Sequence, residues 1–473
     1  MPVEIDLLAI DRGTITAPAG CGKTYLIGDA LSRHTGAKPV LVLTHTNAGV
    51  AALRSKLDRA GVSPSRYRLS TIDGWAIRLV RTFPARSGID PAALELRNRG
   101  RDYINIRDAA HRLLHGGHIN DVLAATYDRL IVDEYQDCSQ RQHAIVYYAG
   151  AALRTCILGD PMQAIFGFGD PLADWNQQVC SHFPLVGQLQ TPHRWIQAGE
   201  EDFGRWLLQM REHLARGGGL DLAAVPANVT WVRLAGNQDD HALRLQAGRT
   251  AAPGNDAKVL IIADSTNPRG QRDFAKQIPG AVTVENVDLT DLIAFGDGFD
   301  LASPIALQHL VEFAGSVMSN VGSTDMLARV ASIRAGRARK EPSSAEQAAI
   351  RFAERPSYAG AADVLAEINH QGGVRAYRPA ILRGAYSVLK ACRGTDGPTP
   401  GEAAVRVREQ SRLVGRPLAK RTVGSTLLLK GLEAEVCVTL NPENMNRKHL
   451  YVAMTRGSQR LVVCSRHQVL NPQ

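Results

Sequence analysis

Thirteen residues near the start, Gly13-Thr14-Ile15-Thr16-Ala17-Pro18-Ala19-Gly20-Cys21-Gly22-Lys23-Thr24-Tyr25, constrain this chain more than any other stretch. Thr14, Ile15 and Thr16 are β-branched and predict a short strand. Small turn-forming residues follow, and from Lys23 an apolar period through Leu26, Ile27, Ala30 and Leu31 predicts a helix. A strand, a tight loop and a helix N-terminus make a phosphate-binding device. Loop N–H groups point inward, and the helix dipole adds roughly half a positive charge. Lys23 then reaches the β- and γ-phosphates, and the Thr24 hydroxyl ligates Mg²⁺. The stretch therefore predicts an ATP or GTP site. The general pattern has glycine six positions before the lysine, where this chain has Ala17.

At 473 residues the chain is long enough for roughly two to four domains, each with its own core. Lys plus Arg number 55 and Asp plus Glu 46, a net +9 spread along the chain, which is compatible with nucleic acid without requiring it. Seven cysteines (Cys21, Cys138, Cys156, Cys180, Cys392, Cys437, Cys464) lie far apart with no C-x-x-C pair. That spacing argues against zinc or an iron–sulfur cluster and fits a reducing cytosol. The N-terminus carries acids and lacks a long apolar core, so no signal peptide is expected. No apolar run approaches the ~18–20 residues of a membrane span, so the expected location is cytoplasmic, with no membrane partner.

Strands and helices alternate as in a doubly wound α/β domain. Val40–Thr44 is an almost wholly apolar run suited to a strand buried on both faces, and Thr44-His45-Thr46-Asn47 leads into a helical pattern. Arg68–Thr71 predicts a short strand, followed by an amphipathic helix from Ile72. The pattern turns to polar helical segments over 83–126, resumes as strands at 128–134 and 155–160, and continues in a second α/β segment with strand candidates at 185–189, 229–234, 258–263 and 281–285. From about 288 to 416 the apolar period is helical almost throughout, with a charged connector at 334–344. Strands return at 422–429, 436–440 and 460–464, with a helix near 447–454.

Asp133-Glu134 closes an apolar strand 110 positions after Lys23. Strand C-termini of a parallel sheet all face the crevice that the phosphate loop lines. Asp133 there can hold Mg²⁺ through water, and Glu134 can polarise the water that attacks the γ-phosphate.

The order of motifs resembles superfamily 1 DNA helicases of the UvrD/Rep type. Ala17–Thr24 resembles motif I, A-G-x-G-[ST]-G-K-T, with Pro18 and Cys21 as departures. Thr44–Asn47 resembles T-F-T-N, and Ser70-Thr71-Ile72-Asp73 a diverged S-T-F-H. Asp133–Asp137 matches D-E-x-Q-D, and 159–168 matches G-D-x-x-Q-x-I-Y-x-F closely. Leu189–Arg194 retains the Leu and Arg of L-x-x-N-Y-R, with Pro192 and His193 replacing Asn and Tyr. Lys430–Glu433 resembles K-G-L-E, and Tyr451–Arg456 matches Y-V-A-x-T-R.

The resemblance implies two RecA-like parallel-sheet α/β domains with helical insertions. The first is 1–82 with 127–184, interrupted by a small helical insertion at 83–126. The second is 185–287 with 417–473, interrupted by a helical insertion at 288–416. It implies an ATP-dependent single-stranded DNA translocase or helicase, moving 3′ to 5′, with ATP and Mg²⁺ as cofactors. Ala17, Ala19, Gly20, Cys21, Gly22, Lys23, Thr24 and Tyr25 would surround the nucleotide, and Glu433 its ribose. Thr24 and Asp133 would hold the metal. Glu134 would activate water, Gln163 would sense the γ-phosphate, and Arg194 and Arg456 would be arginine fingers from the second α/β domain. Thr44, Asn47 and Thr71 would contact DNA phosphates. Phe166, Phe168 and Trp75 are either stacking faces for bases or core residues.

The family's adenine-reading glutamine segment before motif I has no counterpart among the twelve residues preceding Gly13, and Leu427 stands where motif V has histidine. In size, abbreviated N-terminus and domain plan the chain is similar to the helicase-like subunit of the Gabija anti-phage pair. That implies single-stranded or partly duplex DNA and a nuclease subunit as partners. A second reading is a nucleotide-dependent DNA-sensing ATPase that gates a partner nuclease without processive unwinding.

Overall fold

In the computed structural model, which describes residues 5–167, 170–394, 396–411 and 418–473, six of the short runs assemble into one sheet. These are β1 (Arg12–Thr16), β2 (Val40–Thr44), β3 (Tyr67–Thr71), β4 (Arg129–Val132), β5 (Arg154–Gly159) and β6 (Leu185–Gln188), in the order β3-β2-β4-β5-β1-β6. Every pairing in it is parallel. β2 and β4 are buried at every position, as apolar strands covered on both faces must be.

The connecting helices are α1 (Lys23–Arg33), α2 (Asn47–Arg59), α3 (Ile72–Thr82), α4 (Pro84–Ser87), α5 (Arg99–His115), α6 (Asn120–Thr126), α7 (Gln140–Ala149), α8 (Cys180–His182), α9 (His193–Gln197) and α10 (Glu201–Ala215). Their starts are written in the sequence. The Thr46 side chain accepts from the Gly49 N–H to cap α2, Thr71 caps α3 through Gly74, and Ser139 with Gln142 forms a capping box on α7.

Because the strands are parallel, their C-terminal ends share one edge. The phosphate loop after β1, Thr44 at the end of β2, Thr71 at the end of β3, Asp133 after β4 and Asp160 after β5 all lie along it. The 83–126 segment folds onto this sheet. Ile106, Ala109, Ala110 and Leu113 of α5 share a core with Trp75 and Leu79 of α3 and Ile145 and Val146 of α7.

Sequence order puts the strand at 185–189 at the head of the second α/β segment. In the structure it is the sixth strand of the first sheet. The flank of β1 away from β5 has N–H and C=O groups to satisfy, and β6 fills it, with the Leu189 N–H donating to the Thr16 carbonyl at 2.9 Å. As the new edge strand, β6 leaves Leu185 and Val186 exposed.

By contact the chain divides into two compact units, 1–229 with 443–460 and 468–473, and 230–442 with 461–467. The first also holds a ribbon of β7 (Leu220–Asp221) and β16 (Val469–Leu470), and the helix that carries Tyr451. The second has its own six-stranded sheet, of β8 (Val229–Arg233), β9 (Val259–Ile262), β10 (Ala281–Thr283), β13 (Arg421–Gly424), β14 (Ala434–Thr439) and β15 (Gly457–Ser465), ordered β10-β13-β9-β14-β15-β8. The β10–β13, β13–β9 and β9–β14 pairs are parallel. Its helical body runs over 290–411, with a separate core built on Leu292, Leu310, Val311, Phe352, Leu365, Ile381 and Leu389, and a ribbon of β11 (Met318–Ser319) and β12 (Arg375–Ala376). Arg378 is buried there against the Glu285 carboxylate, with contacts of 2.8 and 2.7 Å. The architecture is mixed α/β: two RecA-like sheets with helical insertions. Among the described residues no helix is long and apolar enough to cross a membrane.

Candidate active site

The loop after β1 is shaped by its glycines. Gly20 and Gly22 have φ of 71° and 83°, a region L side chains rarely adopt. A Cβ on Gly20 would lie 2.5 Å from the Trp195 ring, and one on Gly22 would lie 2.7 Å from His193. The Ala17 N–H donates to the Gly159 carbonyl (2.8 Å), and the Cys21 N–H turns back to Pro18 (3.2 Å). The Ala19 N–H donates to the Tyr451 hydroxyl at 3.1 Å, and the Gly20 carbonyl accepts from the Arg194 N–H at 3.1 Å. α1 starts at Lys23, which aligns the helix N-terminus with Thr24 in its first turn. Tyr25 is exposed, its ring 6.5 Å from that of His193.

Opposite the loop, Lys23 Nζ donates to Glu134 Oε1 at 2.7 Å and lies 3.9 Å from Asp133 Oδ1. Burial alone would depress the Lys23 ammonium, but the Glu134 and Asp133 carboxylates outweigh it and hold the group above the ordinary lysine value. Burial raises Asp133 to about 6, with Lys23 opposing and Glu134 adding to the rise. Glu134 has a φ of 54°, an uncommon geometry for a non-glycine residue and one found at sites that aim a side chain. A half-buried cation held between two carboxylates is a site that a polyphosphate and a divalent ion together would satisfy. Hard oxygen donors, few in number, suit Mg²⁺, which keeps waters and phosphate oxygens in its remaining positions. Asp133 and the Thr24 hydroxyl fit that donor set.

Gln163 is buried, and its Nε2 donates to Asp160 Oδ2 at 3.0 Å. Asp160 is 0% exposed and is also held by Arg211 of α10. Gln136 bridges the two motifs: its Nε2 donates to Glu134 Oε2 (2.5 Å) and its Oε1 accepts the Asp160 N–H (3.0 Å).

Arg194 and Arg456 both lie in the first unit, whereas motif order assigns them to the second α/β segment. The reason is local. α9 follows β6, which the first sheet holds, and the helix Arg447–Met454 bonds to the loop through Tyr451. Arg194 Nη1 donates to the Thr455 carbonyl at 2.6 Å. Arg456 is buried, with Nε donating to the Val452 carbonyl (2.9 Å) and Nη2 to Thr455 Oγ1 (3.0 Å). Glu433 is exposed in the second unit, just before β14.

Thr44 is buried at the end of β2, Asn47 is exposed at the start of α2, and the Thr71 hydroxyl is engaged in capping α3. Phe166 is half-buried with its ring 5.9 Å from His45. Phe168 lies outside the described residues. Trp75 is 0% exposed, so of its two readings the core one holds.

Sequence reasoning assigned no role to Tyr451, His193, Gln136 or Arg211. For Arg211 a signal existed: Phe203, Leu207 and Leu214 define an apolar stripe on α10, and an arginine stands on that stripe.

Behind Glu134, the Tyr135 hydroxyl bonds His143 Nδ1 (2.7 Å), and His143 Nε2 bonds His182 Nδ1 (2.8 Å). Burial, with His182 adding, depresses His143 to about 4. A depressed histidine contributes stability above its unfolded value, and that stability is lost as pH falls through the folded one. The first unit should therefore weaken between about pH 6.5 and 4, by roughly 3 kcal/mol at most. Urea midpoints measured across this window should flatten in His143→Gln, and an unchanged slope would rule His143 out as the source.

Residues 92–174 match the UvrD/REP helicase N-terminal domain. That span holds Asp133–Asp137 and 159–168 and does not reach the phosphate loop. No protein of curated function matches the chain. Among solved structures, the chain is similar to the Arterivirus nonstructural protein 10 helicase in complex with DNA, at 10% identity and a TM-score of 0.36, covering 96% of this chain and 61% of that one. It is likewise similar to a crystal structure of the Arterivirus nonstructural protein 10 helicase, at 12% identity and a TM-score of 0.36, covering 96% of this chain and 59% of the other. The strand order of the two sheets, not these likenesses, defines the fold.

Proposed function

We propose that the chain is a DNA-dependent ATPase that translocates on single-stranded DNA as a helicase of the UvrD/Rep type. The observation that carries this reading is the locked triad at one sheet edge: Lys23 held by Glu134 and Asp133, with Gln163 oriented by Asp160 beside them. Phosphoryl transfer needs positioning and charge compensation more than covalent chemistry, and these groups supply both. The loop amides and Lys23 bind the polyphosphate, and Glu134, released from Lys23, accepts the proton of the attacking water. Gln163 orients that water, and Arg194 and Arg456 compensate charge on the equatorial oxygens. Mg²⁺, when bound by Thr24 and Asp133, neutralises phosphate charge. Tyr25 and His193 present rings to the base.

DNA binding is supported by the other half of the same edge, where two capped helix N-termini, Asn47 and the Phe166–His45 pair face the strand ends. The match over 92–174 agrees with this reading. In this reading movement is 3′ to 5′, and a nuclease subunit of a defence pair supplies cleavage.

ATPase with and without single-stranded DNA, run beside an unwinding assay, is the test. We expect DNA-stimulated turnover with weak strand separation by the chain alone; turnover indifferent to DNA would refute the reading. Stimulated turnover with no stepping at all would favour the gating ATPase. Tyr25→Ala should raise KM for ATP by about tenfold with kcat little changed, the scale of one lost base–ring stack. An unchanged KM would remove Tyr25 from the base site.

A further inference from the structure

Asp160 is a hub with both carboxylate oxygens engaged. Its Oδ1 accepts from Arg211 Nε (3.0 Å), Arg211 Nη2 (2.7 Å) and the Met162 N–H (3.1 Å). Its Oδ2 accepts from Gln163 Nε2, and its own N–H reaches Gln136, which in turn holds Glu134. A carboxylate is acceptor-only, so the Gln163 amide turns Nε2 toward Asp160, which makes Oε1 the end that can accept a hydrogen bond from water. Glu134 is gripped at both oxygens, by Lys23 at Oε1 and by Gln136 at Oε2. Apart from the Lys23 contact on Glu134, these side-chain bonds on the two water-handling residues lead back to Asp160, directly for Gln163 and through Gln136 for Glu134.

Arg211 is the one cation bonded to that hub among the described residues, and its side chain is 5% exposed. Its Nη1 is paired with Glu212 on the same helix. Two guanidinium nitrogens converging on Oδ1 pin that oxygen in a directional way that a point charge would not, and Gln163 on Oδ2 holds the other end of the carboxylate.

We infer that Arg211 is a positioning residue for hydrolysis: through Asp160 it fixes the Gln163 amide and, by way of Gln136, the Glu134 carboxylate. The inference rests on the ATPase reading above. It places a determinant of turnover on α10, in a stretch with no recognisable motif.

The test compares Arg211→Lys, Arg211→Met and the charge-neutral pair Arg211→Met with Asp160→Asn, in the full chain with single-stranded DNA present. For each, kcat, KM, nucleotide affinity and Tm are measured. Losing a group that orients a reacting side chain costs roughly 10- to 100-fold, so Arg211→Met should lose that much kcat with KM little moved, and Arg211→Lys should fall between. The neutral pair removes the stranded buried charge, so its Tm should recover while its kcat does not. Should Arg211→Met fail to fold, the lysine variant and the neutral pair carry the same comparison. Recovery of kcat together with Tm in the pair, or wild-type kcat in a folded single variant, would overturn the inference and leave Arg211 a structural counter-ion. Wild-type protein without any DNA-stimulated turnover would sink the ATPase reading and this inference together.

Discussion

Glu134→Gln should abolish turnover while nucleotide stays bound. Glutamine keeps the shape of the side chain and can still meet Gln136, but it cannot accept the proton of the attacking water. General-base catalysis by a positioned side chain contributes roughly 10²- to 10⁴-fold, and kcat should fall on that scale. Nucleotide affinity should hold or improve, because the substitution frees Lys23 from its 2.7 Å contact and makes its charge available to phosphate. Single-turnover hydrolysis and equilibrium binding of a fluorescent ATP analogue read the two effects separately. Loss of binding in parallel with kcat would mean that Glu134 is part of the scaffold and not the base.

Lys23→Ala is expected to act on binding and on the fold at once. Truncating one member of a part-buried charge-assisted contact costs roughly 2–5 kcal/mol where phosphate is the partner, or about thirtyfold or more in Kd, and unwinding should disappear with it. In the nucleotide-free protein the same change strips the counter-charge from Asp133 and Glu134, so Tm should drop. Asp133, already raised to about 6, should then titrate still higher. Adding Glu134→Gln to Lys23→Ala should restore part of the lost Tm, since the two residues interact directly and their effects cannot add. Strict additivity by thermal denaturation would show that the 2.7 Å contact does not couple them.

Both experiments probe residues that sequence reading names unaided, and the reason is topological. Gly20, Gly22 and Lys23 are legible because the loop needs positive φ at the glycines and a helix start at the lysine. Asp133 and Glu134 are legible because they end an apolar strand, and parallel strands end on one edge whatever order they take in the sheet. The caps at Thr46, Thr71 and Ser139 are local hydrogen bonds over three residues, within reach of a motif. The two-sheet α/β architecture follows from the same alternation of apolar runs and helical periods.

The remaining features are long-range choices among locally equal alternatives. An aromatic such as Trp75 fits a base-binding face or a core equally well by sequence, and its full burial comes from α5 folding across α3. The run at 185–188 is a strand in either sheet, and the vacant flank of β1 is what recruits it. Tyr451 meets Ala19 across 432 positions, and Arg211 meets Asp160 across 51. No propensity or period encodes such pairs; burial forces each polar group to find a partner, and the chain path decides which one is there. The sequence by itself determined the phosphate loop, the carboxylates and the edge they share. Only the tertiary structure decided which buried charges and hydrogen bonds hold those groups in place, because that depends on what packing brings within 3 Å and not on what stands nearby in the chain.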